Sequence, residues 1–113
     1  YCANSPLHFS VSHTKNYVFA AISEKPIGID AEELDREIDL RLAEKLLSPT
    51  EYVQFQKAED QRLALLKFWV LKEAAGKCTG QGLQLWPNHT DFSLADPRLQ
   101  ALSGCLVAVI EDL

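Results

Sequence analysis

Leu63-Ala64-Leu65-Leu66-Lys67-Phe68-Trp69-Val70-Leu71-Lys72-Glu73-Ala74-Ala75-Gly76-Lys77-Cys78 reads as one long helix. Leu63, Leu66, Val70 and Ala74 recur at helical spacing, and Leu65, Phe68, Trp69 and Leu71 widen the apolar surface well beyond one stripe. A helix apolar on most sides is buried. Glu59-Asp60 opens it and Gly80 and Gly82 close it, so the spacing predicts a helix from there to about Cys78. Three charges nevertheless fall inside this run: Lys72, Glu73 and Lys77. Trp69, Glu73 and Lys77 project from roughly one side. A buried carboxylate costs several kcal/mol unless it is paired or holds a metal. Glu73 is therefore either half of an exposed Glu73–Lys77 helix pair, worth about 0.3–0.5 kcal/mol, or part of a site. Trp69 is core packing or a pocket wall.

Upstream, the periodicity changes from helical to two. Leu7, Phe9 and Val11 alternate with His8, Ser10 and Ser12, which predicts a half-buried strand. Thr14-Lys15-Asn16 breaks the chain, and Tyr17 to Ile22 completes a hairpin. Pro26-Ile27-Gly28-Ile29-Asp30 is a short buried strand running out into acid. Asp39 can cap a short helix over Leu40 to Leu47. Ser48-Pro49-Thr50-Glu51 is a capping box for a helix through Tyr52 and Phe55. Downstream, strands are expected over Asp91 to Leu94 and over Cys105 to Ile110. The order β-β-β-α-α-α-β-β keeps strands and helices in blocks. The expected class is α+β, a mainly antiparallel sheet packed on a long buried helix.

At 113 residues there is room for one compact domain, or two small subdomains sharing a core. A 47% apolar content excludes disorder. A net charge of −5 lacks the basic footprint of a general nucleic-acid binder. No apolar run approaches the roughly 18 residues of a membrane span, and no signal peptide is visible. Cys2, Cys78 and Cys105 are odd in number and widely spaced, which argues against disulfides and a cysteine zinc site and for a reducing cytoplasm. The sequon Asn88-His89-Thr90 reads as coincidental in that setting. The chain opens on Tyr1 and holds no Met, and is expected to be a piece of something longer.

Chemistry concentrates in four places. On a strand, Asp30 and Glu32 point to one face. They either flank a cation, with Mg²⁺ favoured by all-oxygen ligands, or belong to a solvated acidic end continued by Glu33 and Asp35. Ser12 and His13, followed by Lys15, could hold a phosphate or form a turn. Glu73 and Lys77 are the third place. Glu51 is the fourth, although the capping box explains it fully.

These blocks together resemble the 4′-phosphopantetheinyl transferase superfamily, in its larger, surfactin-synthetase-activator type. The resemblance rests on Phe9-Ser10-Val11-Ser12-His13-Thr14, Pro26-Ile27-Gly28-Ile29-Asp30-Ala31-Glu32, Leu47-Ser48-Pro49-Thr50-Glu51-Tyr52, Phe68-Trp69-Val70-Leu71-Lys72-Glu73-Ala74-Ala75-Gly76-Lys77 and Gly80-Gln81-Gly82-Leu83. It implies transfer of the phosphopantetheine arm of coenzyme A to a serine of an apo acyl or peptidyl carrier protein, with Mg²⁺, releasing adenosine 3′,5′-bisphosphate. It further implies Asp30, Glu32 and Glu73 as metal carboxylates meeting in one coordination sphere, Ser12 and His13 at the ribose 3′-phosphate, Lys77 at the pyrophosphate, and Glu51 as an aid to serine deprotonation. The base could equally be Glu73 or metal-bound water. The larger type has two similar halves in a pseudo-twofold fold. Residues 1–25 would be the tail of the first half and residues 26–113 the second, with self-association or a missing N-terminal half covering the apolar hairpin. The rival expectations are a Mg²⁺-dependent pyrophosphohydrolase acting on coenzyme A or a nucleotide, and a non-catalytic module for an acidic partner.

Overall fold

The computed structural model describes residues 7–80 and 91–111. Cys2, Gln81-Gly82-Leu83 and Asn88-His89-Thr90 lie outside the described residues. The elements follow the expected order: β1 (His8–His13), β2 (Val18–Ser23), β3 (Ile27–Glu33), a 3₁₀ turn (Leu40–Leu42), α1 (Ala43–Leu46), α2 (Pro49–Lys57), α3 (Gln61–Thr79), β4 (Leu99–Leu102) and β5 (Cys105–Glu111). All strand pairings are antiparallel, in a β1-β2 hairpin and a β3-β5-β4 sheet. The fold is α+β, as expected.

α3 is the buried helix of the sequence reading. Asp60 caps it by accepting from the Leu63 N–H, and Gly80 ends it at φ 76°. Leu65, Leu66, Phe68, Val70 and Leu71 are fully buried. They join Leu46 of α1, Leu47 just after it, Phe55 of α2, and Leu106, Ala108 and Ile110 of β5 in one core. On the other face of the sheet, Ile29, Ala31, Cys105 and Val107 meet Phe19 and Ala21 of β2. The layers therefore run helix, sheet, hairpin, and β3 lies in the middle, buried from Ile27 through Ala31.

Two details differ from expectation, and one refines it. The alternation in β1 is real, and the face it buries within this chain is the polar one. Ser10 and Ser12 are buried, while Phe9 is 71% exposed, and Val11, Val18 and Ile22 share that outer face. The reason is a hydrogen-bond requirement. The free edge of β3 presents the N–H groups of Ile29 and Ala31, and the Ser10 and Ser12 hydroxyls accept them at 3.1 Å each. Asp91 to Leu94 is not a strand. The Phe92 N–H donates to Glu51, and the Gln54 amide bonds both the Phe92 carbonyl and the Leu94 N–H, so side chains take the groups a ladder would use. The strand lies later, at Leu99–Leu102, joined to β5 by Ser103-Gly104, both at positive φ. That two-residue turn matches the twist of a hairpin. The expected helix Leu40 to Leu47 is split into the 3₁₀ turn and α1, with Asp39 capping the turn.

No helix among the described residues is long and apolar enough to cross a membrane.

Gly28 sets the distance between sheet and helix. A Cβ there would sit 1.9 Å from the Ala74 carbonyl oxygen and 2.6 Å from the Cys78 nitrogen, both backbone atoms of α3. Gly28→Ala is expected to cost about 3 kcal/mol or more through forced separation of β3 and α3. Gly104→Ala meets nothing within 4 Å and should cost only the ~1–2 kcal/mol of its left-handed backbone. Urea midpoints of the two variants check this; equal losses would mean that the close approach carries no energetic weight.

Candidate active site

The close approach at Gly28 brings the next inward residue of β3, Asp30, beside the last turns of α3. Lys77 reaches from α3 and donates to the Asp30 Oδ1 at 3.3 Å, the Ile29 carbonyl at 3.0 Å and the Val11 carbonyl at 3.2 Å. It thus ties α3 to β3 and β1 at one point. Ser12, besides accepting from Ala31, donates to Asp30 Oδ1 at 3.3 Å. Asp30 Oδ2 is buried and has no hydrogen-bond partner. Burial pushes the Asp30 carboxyl from 3.8 up to about 6; Lys77 opposes the shift, and Glu32 and Glu73 reinforce it.

Glu73 is half-buried on the same side of α3, and its carboxyl is raised, first by burial and then by Glu32, against the pull of Lys77 and Arg36. Glu32 is turned toward Arg36, with 2.6 Å between carboxylate and guanidinium. Arg36 in turn lies 5.6 Å over the ring of Trp69, so Trp69 is a wall of the acidic corner as well as a core residue. The three acids therefore feel one another, but the expected single coordination sphere is not assembled. Among the described residues, no three His, Cys, Asp or Glu side chains are grouped so as to hold a metal ion. Like charges repel, and here Lys77 draws Asp30 and Arg36 draws Glu32. Lys77 is drawn to Asp30 rather than into the simple helix pair with Glu73.

His13 is exposed at the end of β1, whereas Ser12 is buried against β3. Glu51 stands apart from these residues. It is 0% exposed, and its carboxylate lies 2.7 Å from Lys72, itself 1% exposed. Glu51 Oε1 accepts from the Ser48 N–H at 3.0 Å, closing the capping box, and Oε2 accepts from the Phe92 N–H at 2.7 Å. Lys72 also sits 5.6 Å from the Phe92 ring centre.

Sequence reasoning assigned no partner or role to Lys72, Arg36, Ser10 and Gln54. Lys72 carried a usable signal, because a lysine on a helix buried all round needs a buried acid, and Glu51 was at hand. The others act through contacts between distant segments that no local pattern encodes.

A family model described as the 4′-phosphopantetheinyl transferase superfamily matches residues 26–107. The chain is 41% identical over 78 residues to the 4′-phosphopantetheinyl transferase psf-1 of Bacillus pumilus, covering 67% of this chain and 33% of the relative. It is 36% identical over 81 residues to gsp of Aneurinibacillus migulanus (70% and 34%). It is 35% identical over 85 residues to HetI of a Nostoc species (72% and 36%). The chain thus spans about a third of the length of these curated relatives.

Two outcomes follow from the electrostatics. Asp30 has a raised carboxyl in the fold, so at this position the folded protein holds more proton than the unfolded chain between pH 3.8 and about 6. Its contribution favours the fold below that window and is lost as pH rises through 6. In chelator-treated buffer, Asp30→Asn should therefore stabilise the protein at pH 7, by ~1–3 kcal/mol, and should flatten stability between pH 4 and 7. Urea titrations at several pH values measure this, and a variant less stable than the parent at pH 7 refutes it. Lys72→Met leaves Glu51 buried without its cation and should cost ~3–5 kcal/mol. Adding Glu51→Gln should recover part of that loss; a double variant no better than Lys72→Met would show that the charge is not the cause.

Proposed function

The chain belongs to the 4′-phosphopantetheinyl transferase superfamily, and we propose that the protein transfers the phosphopantetheine arm of coenzyme A to a serine of an apo acyl or peptidyl carrier protein. The serine oxygen attacks the phosphorus bearing the pantetheine, the bond to the adenosine 3′,5′-bisphosphate breaks, and the serine proton passes to a base.

The observation that carries this reading is the orphan oxygen of Asp30. A buried carboxylate oxygen with no partner costs free energy unless a ligand completes it. Lys77 and Ser12 both engage the other oxygen, Oδ1, and the remaining charged neighbours are the acids Glu32 and Glu73, so a cation would complete Oδ2. The donor set of Asp30, Glu32 and Glu73 is all oxygen, which suits Mg²⁺. When bound, the ion neutralises charge on the diphosphate, the principal demand of phosphoryl transfer. Lys77 presents a second positive charge at the same corner. His13, exposed at the end of β1, is available to the ribose 3′-phosphate, whereas the buried Ser12 hydroxyl is taken up by Asp30 and the Ala31 N–H and is not. Glu51 is best assigned as a strut, since all its carboxylate contacts are internal. Glu73, partly exposed and of raised basicity, is the better base.

The free, buried Cys78 and Cys105 suit a reducing cytoplasm, which is the compartment we assign to this activity. The outer face of the hairpin, with Phe9, Val11, Val18 and Ile22 bare, is covered by another part of the protein or by a second copy, because an apolar patch of this kind is rarely left in water.

Incubation of the protein with coenzyme A, Mg²⁺ and a panel of apo carriers should add the mass of one phosphopantetheine to a carrier. Asp30→Asn and Glu73→Gln should each reduce the rate by ~100-fold or more. His13→Ala should act selectively, shrinking the preference for coenzyme A over its 3′-dephospho form. Coenzyme A hydrolysis with every carrier unmodified would favour the pyrophosphohydrolase reading instead.

A further inference from the structure

Arg36 follows the acidic strand end and is held at a fixed point. The Arg62 guanidinium, from α3, donates to the carbonyls of Leu34 and Arg36 at 2.9 Å each, which pins the backbone there. From that point the Arg36 side chain turns back onto Glu32 at 2.6 Å and lies over Trp69 at 5.6 Å. Lys77 does the same for Asp30 from the other side. The corner holds three acids and two cations, and each cation is bonded to a different acid. Neither pair is sealed off. Arg36 is 41% and Glu32 24% exposed at the side chain, and Lys77 is 33% exposed. This differs from Glu51–Lys72, which solvent does not reach.

We propose that Arg36 and Lys77 are exchangeable counter-ions: they neutralise Glu32 and Asp30 in the resting protein, and a divalent cation binds by taking those carboxylates from them. The inference rests on the metal-binding reading above. Arg36 then stays near Trp69 without its carboxylate, and Lys77 is released from Asp30 while keeping its carbonyl contacts. An exchange of this kind keeps the corner close to neutral at every stage. It also makes Arg36 a competitor of the cation, so its removal should tighten cation binding even though no contact to the cation is gained.

The test uses Mg²⁺ alone, with no coenzyme A. Magnesium affinity is measured by calorimetry, and Trp69 emission is followed in a Trp86→Phe background, which leaves Trp69 as the only tryptophan. Arg36→Gln should bind Mg²⁺ about two- to fivefold more tightly, the worth of a partly exposed ion pair. Arg41→Gln removes the same charge from the exposed pair with Asp39, and should leave the affinity unchanged. Magnesium should shift Trp69 emission in the parent and not in Arg36→Gln. Equal affinity in parent and Arg36→Gln, or an identical emission shift in both, overturns the exchange while leaving a metal site in place. Tightening of the same size in Arg41→Gln would reduce the effect to net charge and overturn it too. No magnesium binding in any variant overturns the metal reading and the exchange together.

Discussion

At Gly28 the backbone of β3 touches the backbone of α3, and the rest of the corner is built outward from that contact. The carbonyl of Ala74 and the nitrogen of Cys78 occupy the space a side chain would need. One helical turn along α3 and two residues along β3, the same proximity lets Lys77 span the gap to Asp30, Ile29 and Val11. A lysine side chain is long, but its ammonium can satisfy three acceptors only if they are brought within reach together. The glycine contact sets that reach. It also explains why an acid is tolerated in a strand buried on both faces: Asp30 has Lys77 and Ser12 on one oxygen.

The seam between hairpin and sheet is unusual for an all-antiparallel arrangement. β3 pairs with β5 along one edge, and on its other edge Ser10 and Ser12 accept N–H groups that a neighbouring strand would otherwise take. Hydroxyls at alternate positions thus substitute for carbonyls. The consequence is that β1 must turn its serines inward and its phenylalanine and valine outward. Packing and hydrogen bonding pull in opposite directions here, and the unsatisfied edge of a buried strand is the costlier of the two to leave open.

Most of the architecture was legible before the structure. Periodicity located α3, the hairpin and β5, because each is a long run of one period. The capping box located α2, because its chemistry is local. Asp30, Glu32, Glu73 and Lys77 were legible as candidates because charge on buried elements is anomalous wherever it occurs. What escaped shares a physical character. Which face of β1 meets β3 was not legible, because alternation gives two faces and does not say which one meets an edge in need of acceptors. Asp91 to Leu94 was misjudged because its hydrogen bonds go to Glu51 and Gln54, distant in sequence. Ser103-Gly104 is a turn signal in the sequence, but β4 before it is short and lacks a strong apolar run. Arg36 was invisible because an arginine in an acidic run looks like a solvated surface.

Glu51 and Asp30 are both buried carboxylates, and they differ in how fully their oxygens are partnered. Every interaction Glu51 could want is present: the Lys72 ammonium, the Ser48 N–H and the Phe92 N–H. Such a group gains nothing from a ligand, and any ligand would first have to break those bonds. Its work is to hold α2, α3 and the Phe92 segment in one arrangement, at a cost in desolvation that a well-made pair only roughly offsets. Asp30 has one satisfied oxygen and one orphan. Its desolvation is not fully offset, and its raised carboxyl is the signature of that deficit. A proton, a hydrogen-bond donor or a cation at Oδ2 would each recover part of it. A buried acid with an open valence, beside two more acids and two partly exposed cations, is therefore a place where a positively charged ligand would recover stability that the fold leaves uncompensated.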